Sequence, residues 1–291
     1  MAKGRLFITG FGGQIGTDLA LQAKEWDVLA AFHRTGQGLG VPTVRMDVTE
    51  HDRVRALLRE FRPDVVMHAA SLTQVDLCER ERELARQVNV DATQVLAEAC
   101  REVGAFLVYF STDFVFDGER GGYAPTDQPS PVNYYGLTKL QGEAFCQGGL
   151  IARTSVVYSP HPHSFNFARW VVDELRAGKA LRIVTDQVAS PSLSSNIAAA
   201  ALELAERRLP GILHLAGSEA ISRHDFALRI AKEFRLDRSL ITPILTEALQ
   251  QLARRPKDSS LDVRQAQSLL KTKLLNVEEG LRALHQEMAD V

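Results

Sequence analysis

Short apolar runs alternate with amphipathic stretches through the first half of the chain. Leu6-Phe7-Ile8, Val28-Leu29-Ala30-Ala31-Phe32, Val65-Val66-Met67 and Phe106-Leu107-Val108-Tyr109-Phe110 have the length and make-up of buried strands. Between them, residues 14–24, 52–61 and 84–103 repeat their apolar positions every three to four residues, as helices do. The alternation predicts repeated βαβ units, hence an α/β fold with a doubly wound parallel sheet of the Rossmann type. Residues 112–131 then form a stretch rich in Gly, Pro and Asp, and loops of that length in compact domains usually carry function.

Helical periodicity resumes near Asn133, and Leu150-Ile151-Ala152 reads as a further strand. Beyond Ser155 the pattern is less regular, with helices expected over 165–177, 194–206, 223–234 and 277–288 and strands at Arg182-Ile183-Val184 and Ile212-Leu213-His214. No repeat or linker interrupts it. The expected division is a dinucleotide-binding domain over 1–155 and a smaller, mainly substrate-binding C-terminal lobe over 156–291, interleaved with the last sheet strands.

The 291 residues carry a formal net charge of -2, which gives no global reason to expect nucleic acid or an anionic membrane as partner. Cys78, Cys100 and Cys146 are odd in number and form no C-x-x-C pair, so they read as reduced and mostly buried. The start of the chain reaches Gly10 too soon for a signal peptide, and no stretch approaches the ~20 apolar residues that span a bilayer, so the cytoplasm is the expected compartment.

The turn after the first strand, Thr9-Gly10-Phe11-Gly12-Gly13-Gln14-Ile15-Gly16, has glycines at G-x-x-G-x-x-G spacing. Gly10 permits the tight turn, Gly13 lets the backbone approach a pyrophosphate, and Gly16 lets helix pack on strand. Gln14 and Ile15 open the helix whose free N–H groups would face the phosphates. The second strand ends in Phe32-His33-Arg34, without the acid that an NAD enzyme places on the ribose. Arg34 would suit a 2′-phosphate instead, which favours NADP and leaves NAD open; the alternative is a solvated loop arginine. Asp47 and Val48, after the third strand, are expected beside the adenine, while Thr49 with Asp52 reads as a helix cap.

Tyr135 and Lys139 lie four apart, on one helix face, so the Lys139 ammonium is expected to stabilise the Tyr135 phenolate and lower its pKa. Ser111-Thr112-Asp113 stands at the C-terminal end of the fifth apolar strand, where open α/β sheets bind ligands and where a hydroxyl would meet a carbonyl oxygen.

Glycine turn, Ser-Thr at a strand end and Tyr-x-x-x-Lys follow one another as in extended short-chain dehydrogenases, and the chain resembles their dTDP-4-dehydrorhamnose reductase branch over nearly its whole length. The most specific segments are Ser111-Thr112-Asp113-Phe114-Val115-Phe116-Asp117-Gly118, Asn133-Tyr134-Tyr135-Gly136-Leu137-Thr138-Lys139-Leu140-Gln141-Gly142-Glu143 and Arg255-Pro256-Lys257-Asp258-Ser259-Ser260-Leu261-Asp262. The resemblance implies NAD(P)H-dependent reduction of the C4 carbonyl of a nucleotide-linked 4-keto-6-deoxy sugar, as in dTDP-rhamnose biosynthesis. It implies Tyr135 as proton donor, Lys139 on the nicotinamide ribose and Thr112 on the carbonyl oxygen. Ala69 and Ala70 would run past the cofactor, Asn89 would order the active-site water, and Thr73 and Val75 would face the sugar. After Arg153-Thr154-Ser155 the reductases carry a Trp against the sugar; Val156 stands there instead, which leaves the exact sugar open. No metal is expected, and a homodimer is compatible with this reading.

The alternatives are a nucleotide-sugar epimerase and a non-catalytic NADP-binding subunit similar to the regulatory subunit of methionine adenosyltransferase. A dehydratase is disfavoured because its Thr-Asp-Glu triplet is Thr112-Asp113-Phe114 here. His161-Pro162-His163 lacks an H-E-x-x-H helix, His68 and Ser71 lack a G-x-S-x-G elbow, and Asp76 with Glu79 reads as a helix-start cap.

Overall fold

The computed structural model describes residues 3–34, 36, 40–162 and 165–289. Its first half runs β1 (Arg5–Thr9), α1 (Gln14–Gln22), β2 (Asp27–Phe32), β3 (Thr43–Arg45), α2 (His51–Phe61), β4 (Val65–His68), α3 (Val75–Arg80), α4 (Arg82–Arg86), α5 (Ala92–Val103), β5 (Phe106–Thr112), α6 (Tyr134–Glu143) and β6 (Leu150–Thr154). The second half adds β7 (Val157–Tyr158), α7 (Phe167–Arg176), β8 (Leu181–Val184), β9 (Val188–Ala189), β10 (Ser192–Leu193), α8 (Ser194–Glu206), β11 (Gly211–His214), β12 (Ile221–Ser222), α9 (Arg223–Glu233), β13 (Ile241–Ile244), α10 (Arg264–Leu269) and α11 (Val277–Ala289).

Seven strands form one parallel sheet in the order β11-β6-β5-β4-β1-β2-β3. From β1 the chain winds outward to β2 and β3 and then returns to β4 on the other side. The crevice beyond the C-terminal ends of β1 and β4 is therefore the switch point at which such sheets take ligands. Apolar side chains on both faces explain the uninterrupted hydrophobic runs. One face packs on α1 and α8 through Leu6, Ile8, Leu19, Ile197 and Leu204; the other packs on α2 and α5 through Phe7, Val54, Leu58, Leu96 and Tyr109. A separate apolar cluster, with Tyr158, Val171, Phe226, Ile230 and Leu281, sits among α7, α9 and α11. The late strand β11 nevertheless returns to the main sheet beside β6.

The single helix expected over 84–103 is interrupted. A π-helical turn, Gln87–Asp91, separates α4 from α5, and such bulges re-aim side chains near functional sites. The expected Thr49–Asp52 cap is not formed: Glu50 precedes α2, and Thr49 instead turns its hydroxyl onto Asp47 Oδ1 at 2.8 Å. A local Asx-type bond competes well with capping at this spacing. The strands missed in the sequence, β7, β9, β10, β12 and β13, lie outside the main sheet, β7 paired with β10, β9 with β12, and β13 with the expected β8; the first four are only two residues long, too short for a period to register.

The three cysteines are free and buried. No helix among the described residues is long and apolar enough to cross a membrane. An internal ion pair locks β6 to α6: Arg153 donates to Glu143 through Nε at 2.9 Å and Nη2 at 2.8 Å, while Ser111 Oγ donates to Glu143 Oε1 at 2.5 Å. Both charges are buried, so the pair fixes orientation more than it adds stability.

Candidate active site

The helix α6 is placed by three contacts at its first turn. Asn133 accepts from Gly136 N at 2.8 Å and donates to the Arg254 carbonyl at 2.9 Å, while Glu79 Oε1 accepts from Tyr134 N at 2.7 Å. Glu79 thus caps a helix, but α6 rather than its own, and a carboxylate at that end complements the helix dipole. Gly136 leaves no room for a side chain, since a Cβ there would stand 2.1 Å from the Phe114 carbonyl oxygen. That close approach brings Tyr135 against the end of β5, where its ring meets Phe114 edge-on at 6.0 Å and its phenol lies beside the Thr112 hydroxyl.

Asp76, the other half of the expected cap, is also bound elsewhere. Its carboxylate accepts from Arg255 at 2.8 and 3.1 Å and from Ala253 N at 2.9 Å, while α3 begins without a side-chain cap. The pair ties the β4–α3 loop to the late segment 253–255. In both cases a partner far along the chain has displaced the local reading.

The electrostatics depart from the sequence expectation at Tyr135 and Lys139. Burial raises the Tyr135 phenol well above its ordinary value, the Thr112 hydroxyl beside it offsets part of this, and Asp113 and Cys78 add to the rise. Lys139 does not lower it. Its ammonium lies instead over the Tyr109 ring, 4.1 Å from the centroid, and the residue is only 2% exposed. Burial drives the Lys139 pKa down to about 7, with Cys146, Glu143 and Cys78 pulling weakly the other way. Spacing put both residues on one helix, but desolvation outweighs an interaction that helical spacing alone cannot aim.

Thr112 accepts from Phe114 N at 3.2 Å and donates to Asp113 Oδ1 at 3.1 Å. Asp113 is buried, and its Oδ2 accepts from Ser155 Oγ at 2.9 Å and Ser259 Oγ at 2.5 Å. The sequence reading gave Asp113 no role beyond its place in the motif, yet it joins β5, the β6–β7 turn and the late segment directly behind Thr112. Its position in Ser-Thr-Asp was the available signal. Fully engaged with hydroxyl donors, it is not a free acid for an elimination.

Beneath this level runs a directional hydrogen-bond chain. Thr93 donates to the Asn89 carbonyl at 2.9 Å and so accepts from His68 Nε2 at 3.0 Å, leaving His68 Nδ1 to accept from Thr9 at 2.8 Å. Burial lowers the His68 pKa to about 3, which keeps the ring neutral. The Asn89 side chain is also committed: Oδ1 accepts from Ser71 at 2.9 Å and Leu72 N at 2.8 Å, while Nδ2 donates to the Leu72 carbonyl and Thr138, both at 3.1 Å. Asn89 therefore clamps the β4–α3 loop to α6. His68 and Ser71 belong to different parts of this scaffold and form no hydrolytic pair.

The glycine turn fits a dinucleotide. Gly10 has φ +79°, and a Cβ on it would lie 2.6 Å from Ala70 N, so Gly10, Ala69 and Ala70 are in contact at the switch point. A Cβ on Gly16 would lie 2.3 Å from the Gly10 carbonyl oxygen, and one on Gly13 would lie 3.1 Å from the same oxygen, still a tight contact. The first turn of α1, which holds Gln14, Ile15 and Gly16, has neither a side-chain cap nor an acidic residue, leaving its N–H groups and dipole to an anion. Gln14 also donates a long 3.4 Å bond to the Phe165 carbonyl.

Beyond the end of β2, Arg34 is exposed and makes no ion pair among the described residues. Burial acts to raise the Asp47 pKa, but two bonds from Thr49, with His33 and Arg34 nearby, hold it below its ordinary value. Val48 follows, packed against the sheet. Thr73 is exposed, Val75 opens α3, and Val156 adopts φ +41°, a left-handed conformation rare for a β-branched residue. Of the His161-Pro162-His163 sequence, His161 Nε2 lies 2.9 Å from Asp18 Oδ1 and His163 lies outside the described residues. No group of three metal-ligating side chains occurs among the described residues.

The family model for the RmlD substrate binding domain matches residues 4–290. A probable low-salt glycan biosynthesis reductase, Agl14 of Haloferax volcanii, is 33% identical over 98% of both chains. Methionine adenosyltransferase 2 subunit beta of Rattus norvegicus is 30% identical over 91% of this chain and 82% of its own. Among solved structures, dTDP-4-dehydrorhamnose reductase from Bacillus anthracis in complex with NADP superposes with a TM-score of 0.89 at 30% identity, covering 99% of this chain and 100% of that one.

Proposed function

Since the chain belongs to the RmlD substrate-binding domain family, we propose that it is an NADPH-dependent reductase of the C4 carbonyl of a nucleotide-linked 4-keto-6-deoxy sugar. The observation that carries this reading is the meeting of Thr112 and Tyr135 above buried Lys139, at the sheet end that also holds the glycine turn. The nicotinamide cofactor supplies the hydride when bound. Thr112 and Tyr135 receive the carbonyl oxygen, and Tyr135 gives its proton to the far more basic alkoxide that develops there. A phenol kept neutral by burial suits that direction. Lys139 holds the nicotinamide ribose, Gly10, Gly13, Gln14, Ile15 and Gly16 cradle the pyrophosphate, and Asp47 and Val48 border the adenine. Ala69 and Ala70 line the cofactor path that Asn89 supports, and Thr73, Val75 and Val156 border the sugar.

We assign residues 1–155 to the cofactor and 156–291 mainly to the substrate, and place the enzyme in the cytoplasm. Tyr135, Lys139 and Thr112 all come from one chain, so a site is complete in each copy even if two copies pair. Mixing the protein with NADPH and a dTDP-4-keto-6-deoxy sugar should consume NADPH in proportion to product. No consumption, with NADPH binding intact, would favour instead a regulatory role like that of the methionine adenosyltransferase 2 subunit beta to which the chain is similar.

Cofactor choice gives a smaller effect. A guanidinium at Arg34 pairs with a 2′-phosphate, but an exposed pair is screened, so we expect a preference for NADPH over NADH of only about 10-fold. Arg34→Ala should raise the NADPH KM, leave the NADH KM nearly unchanged, and show less effect as salt rises. Equal losses with both cofactors would move Arg34 to a group they share.

A further inference from the structure

The hydroxyl that a carbonyl oxygen would need is already committed within the chain. Thr112 has one proton and two lone pairs. Its proton goes to Asp113 Oδ1 at 3.1 Å, and one lone pair accepts from Phe114 N at 3.2 Å. A carbonyl oxygen, and the alkoxide it becomes, can only accept, so Thr112 in this arrangement has no proton to offer them. For the reduction proposed above, the Thr112 proton must turn from Asp113 to the substrate, which leaves Asp113 Oδ1 without a donor.

The surroundings of Asp113 suit that change when the carboxyl group is neutral. Its Oδ2 is filled, since Ser155 Oγ donates to it at 2.9 Å and Ser259 Oγ at 2.5 Å. Ser155 Oγ itself accepts from Ser190 N at 3.2 Å, which leaves its proton for Asp113. A proton on Asp113 therefore belongs on Oδ1, where it can fill the second lone pair of Thr112 and release the Thr112 proton. The residue is 3% exposed and its partners are hydroxyls rather than a cation, a setting that favours the neutral acid. Burial raises its pKa, and Ser259, Ser155, Thr112 and the field of Arg223 offset part of the rise. The titratable groups that face it are Tyr135 of α6, kept neutral by burial, and Arg223 at the start of α9, while Arg255 of the late segment is paired with Asp76. A negative Asp113 would also oppose the charge that develops on the carbonyl oxygen next to Thr112.

We propose that Asp113 is a positioning residue that acts in its protonated form: Oδ1–H donates to Thr112 Oγ1 and so turns the Thr112 hydroxyl onto the carbonyl oxygen. The assignment rests on the reductase reading above. Asp113 keeps its proton through the cycle; the proton that reaches the alkoxide is that of Tyr135, and the hydride is that of NADPH. Ser155 and Ser259 bind the ionised carboxylate more strongly than the neutral acid, so they set the pH at which Thr112 is released.

The test compares kcat for reduction in the wild type, Asp113→Asn and Ser259→Ala across a range of pH, with urea midpoints and NADPH affinity as checks on folding. An Asn here turns its carbonyl to Ser155 and Ser259 and a permanent N–H to Thr112, and it cannot ionise. The ratio of kcat in Asp113→Asn to kcat in the wild type should rise with pH, by up to about 10-fold per unit once wild-type Asp113 ionises, whatever its value at low pH. Ser259→Ala removes one hydrogen bond from the ionised form and so raises the Asp113 pKa; its ratio should rise and then level off. Lys139, with its pKa of about 7, is common to all three proteins and cancels in the ratios. Infrared spectra of NADPH-loaded protein carrying isotope-labelled aspartate read the proton without turnover. A neutral-acid carbonyl band present in the wild type and missing from Asp113→Asn should fade over the same pH range as wild-type kcat. A ratio for Asp113→Asn that is flat or falls with pH, or no such band at any pH where the enzyme turns over, would overturn the assignment and leave the reductase reading intact. If the band is present but the wild type reduces no nucleotide-linked 4-keto sugar, the reductase reading fails and the role of Asp113 falls with it.

Discussion

Replacing Tyr135 by Phe should lower kcat by roughly 10² to 10⁴ while NADPH affinity stays within about 2-fold of the wild-type value. The ring remains, so its edge contact with Phe114 and the packing of α6 on β5 survive. What disappears is the proton that the phenol delivers to the alkoxide. The pH dependence follows from the direction of the Tyr135 shift. Burial raises this acid, so the protonated form required for reduction persists through neutral pH and beyond the ordinary ~10 of a tyrosine. Reduction should accordingly show no loss assignable to Tyr135 between pH 6 and about 9, whereas oxidation of the product, which needs the phenolate, should climb steeply with pH. Stopped-flow measurement of NADPH consumption separates the chemical step from cofactor binding. An unchanged single-turnover rate in Tyr135→Phe would remove Tyr135 from the mechanism.

Strands β1, β2, β4, β5 and β6 were legible as apolar runs because both faces of a parallel sheet are covered, and the helices between them because each buries one stripe. The glycine turn was legible too, since its residues are consecutive and the steric demand at Gly10 and Gly16 is local. The misreadings share a different cause. Asp76 and Glu79 are residues that can satisfy a nearby helix end, and sequence offers that use first. In the folded chain Asp76 is claimed by Arg255, and Glu79 by the first turn of α6. Those partners lie 179 and 55 residues away, a separation across which no local pattern signals. The hub at Asp113 was hidden for the same reason, with Ser155 and Ser259 arriving from remote segments.

Lys139→Met should separate stability from function in opposite directions. Lys139 is among the largest fully enclosed side chains of the protein, and burial has moved its pKa from 10.5 to about 7. A base whose folded pKa lies below its unfolded value binds fewer protons when folded, so folding is penalised by its charge. That penalty is complete below about pH 7 and fades as pH rises from about 7 towards 10.5, because the unfolded chain then holds the greater share of protons. Met is similar in length, apolar and adaptable, and keeps contact with the Tyr109 ring without the cost of desolvation. Exchanging a buried charge for an apolar side chain commonly gains stability, here about 1–3 kcal/mol at pH 6, with the advantage narrowing by pH 9. Turnover should nevertheless fall by at least about 10²-fold, because no ammonium remains to hold the nicotinamide ribose, and the NADPH KM should rise with it. Urea titrations of the cofactor-free proteins at the two pH values, paired with kinetics, provide both readouts. A variant that loses stability equally at both pH values would show Lys139 to be a packing element, and one that keeps its turnover would detach it from the cofactor.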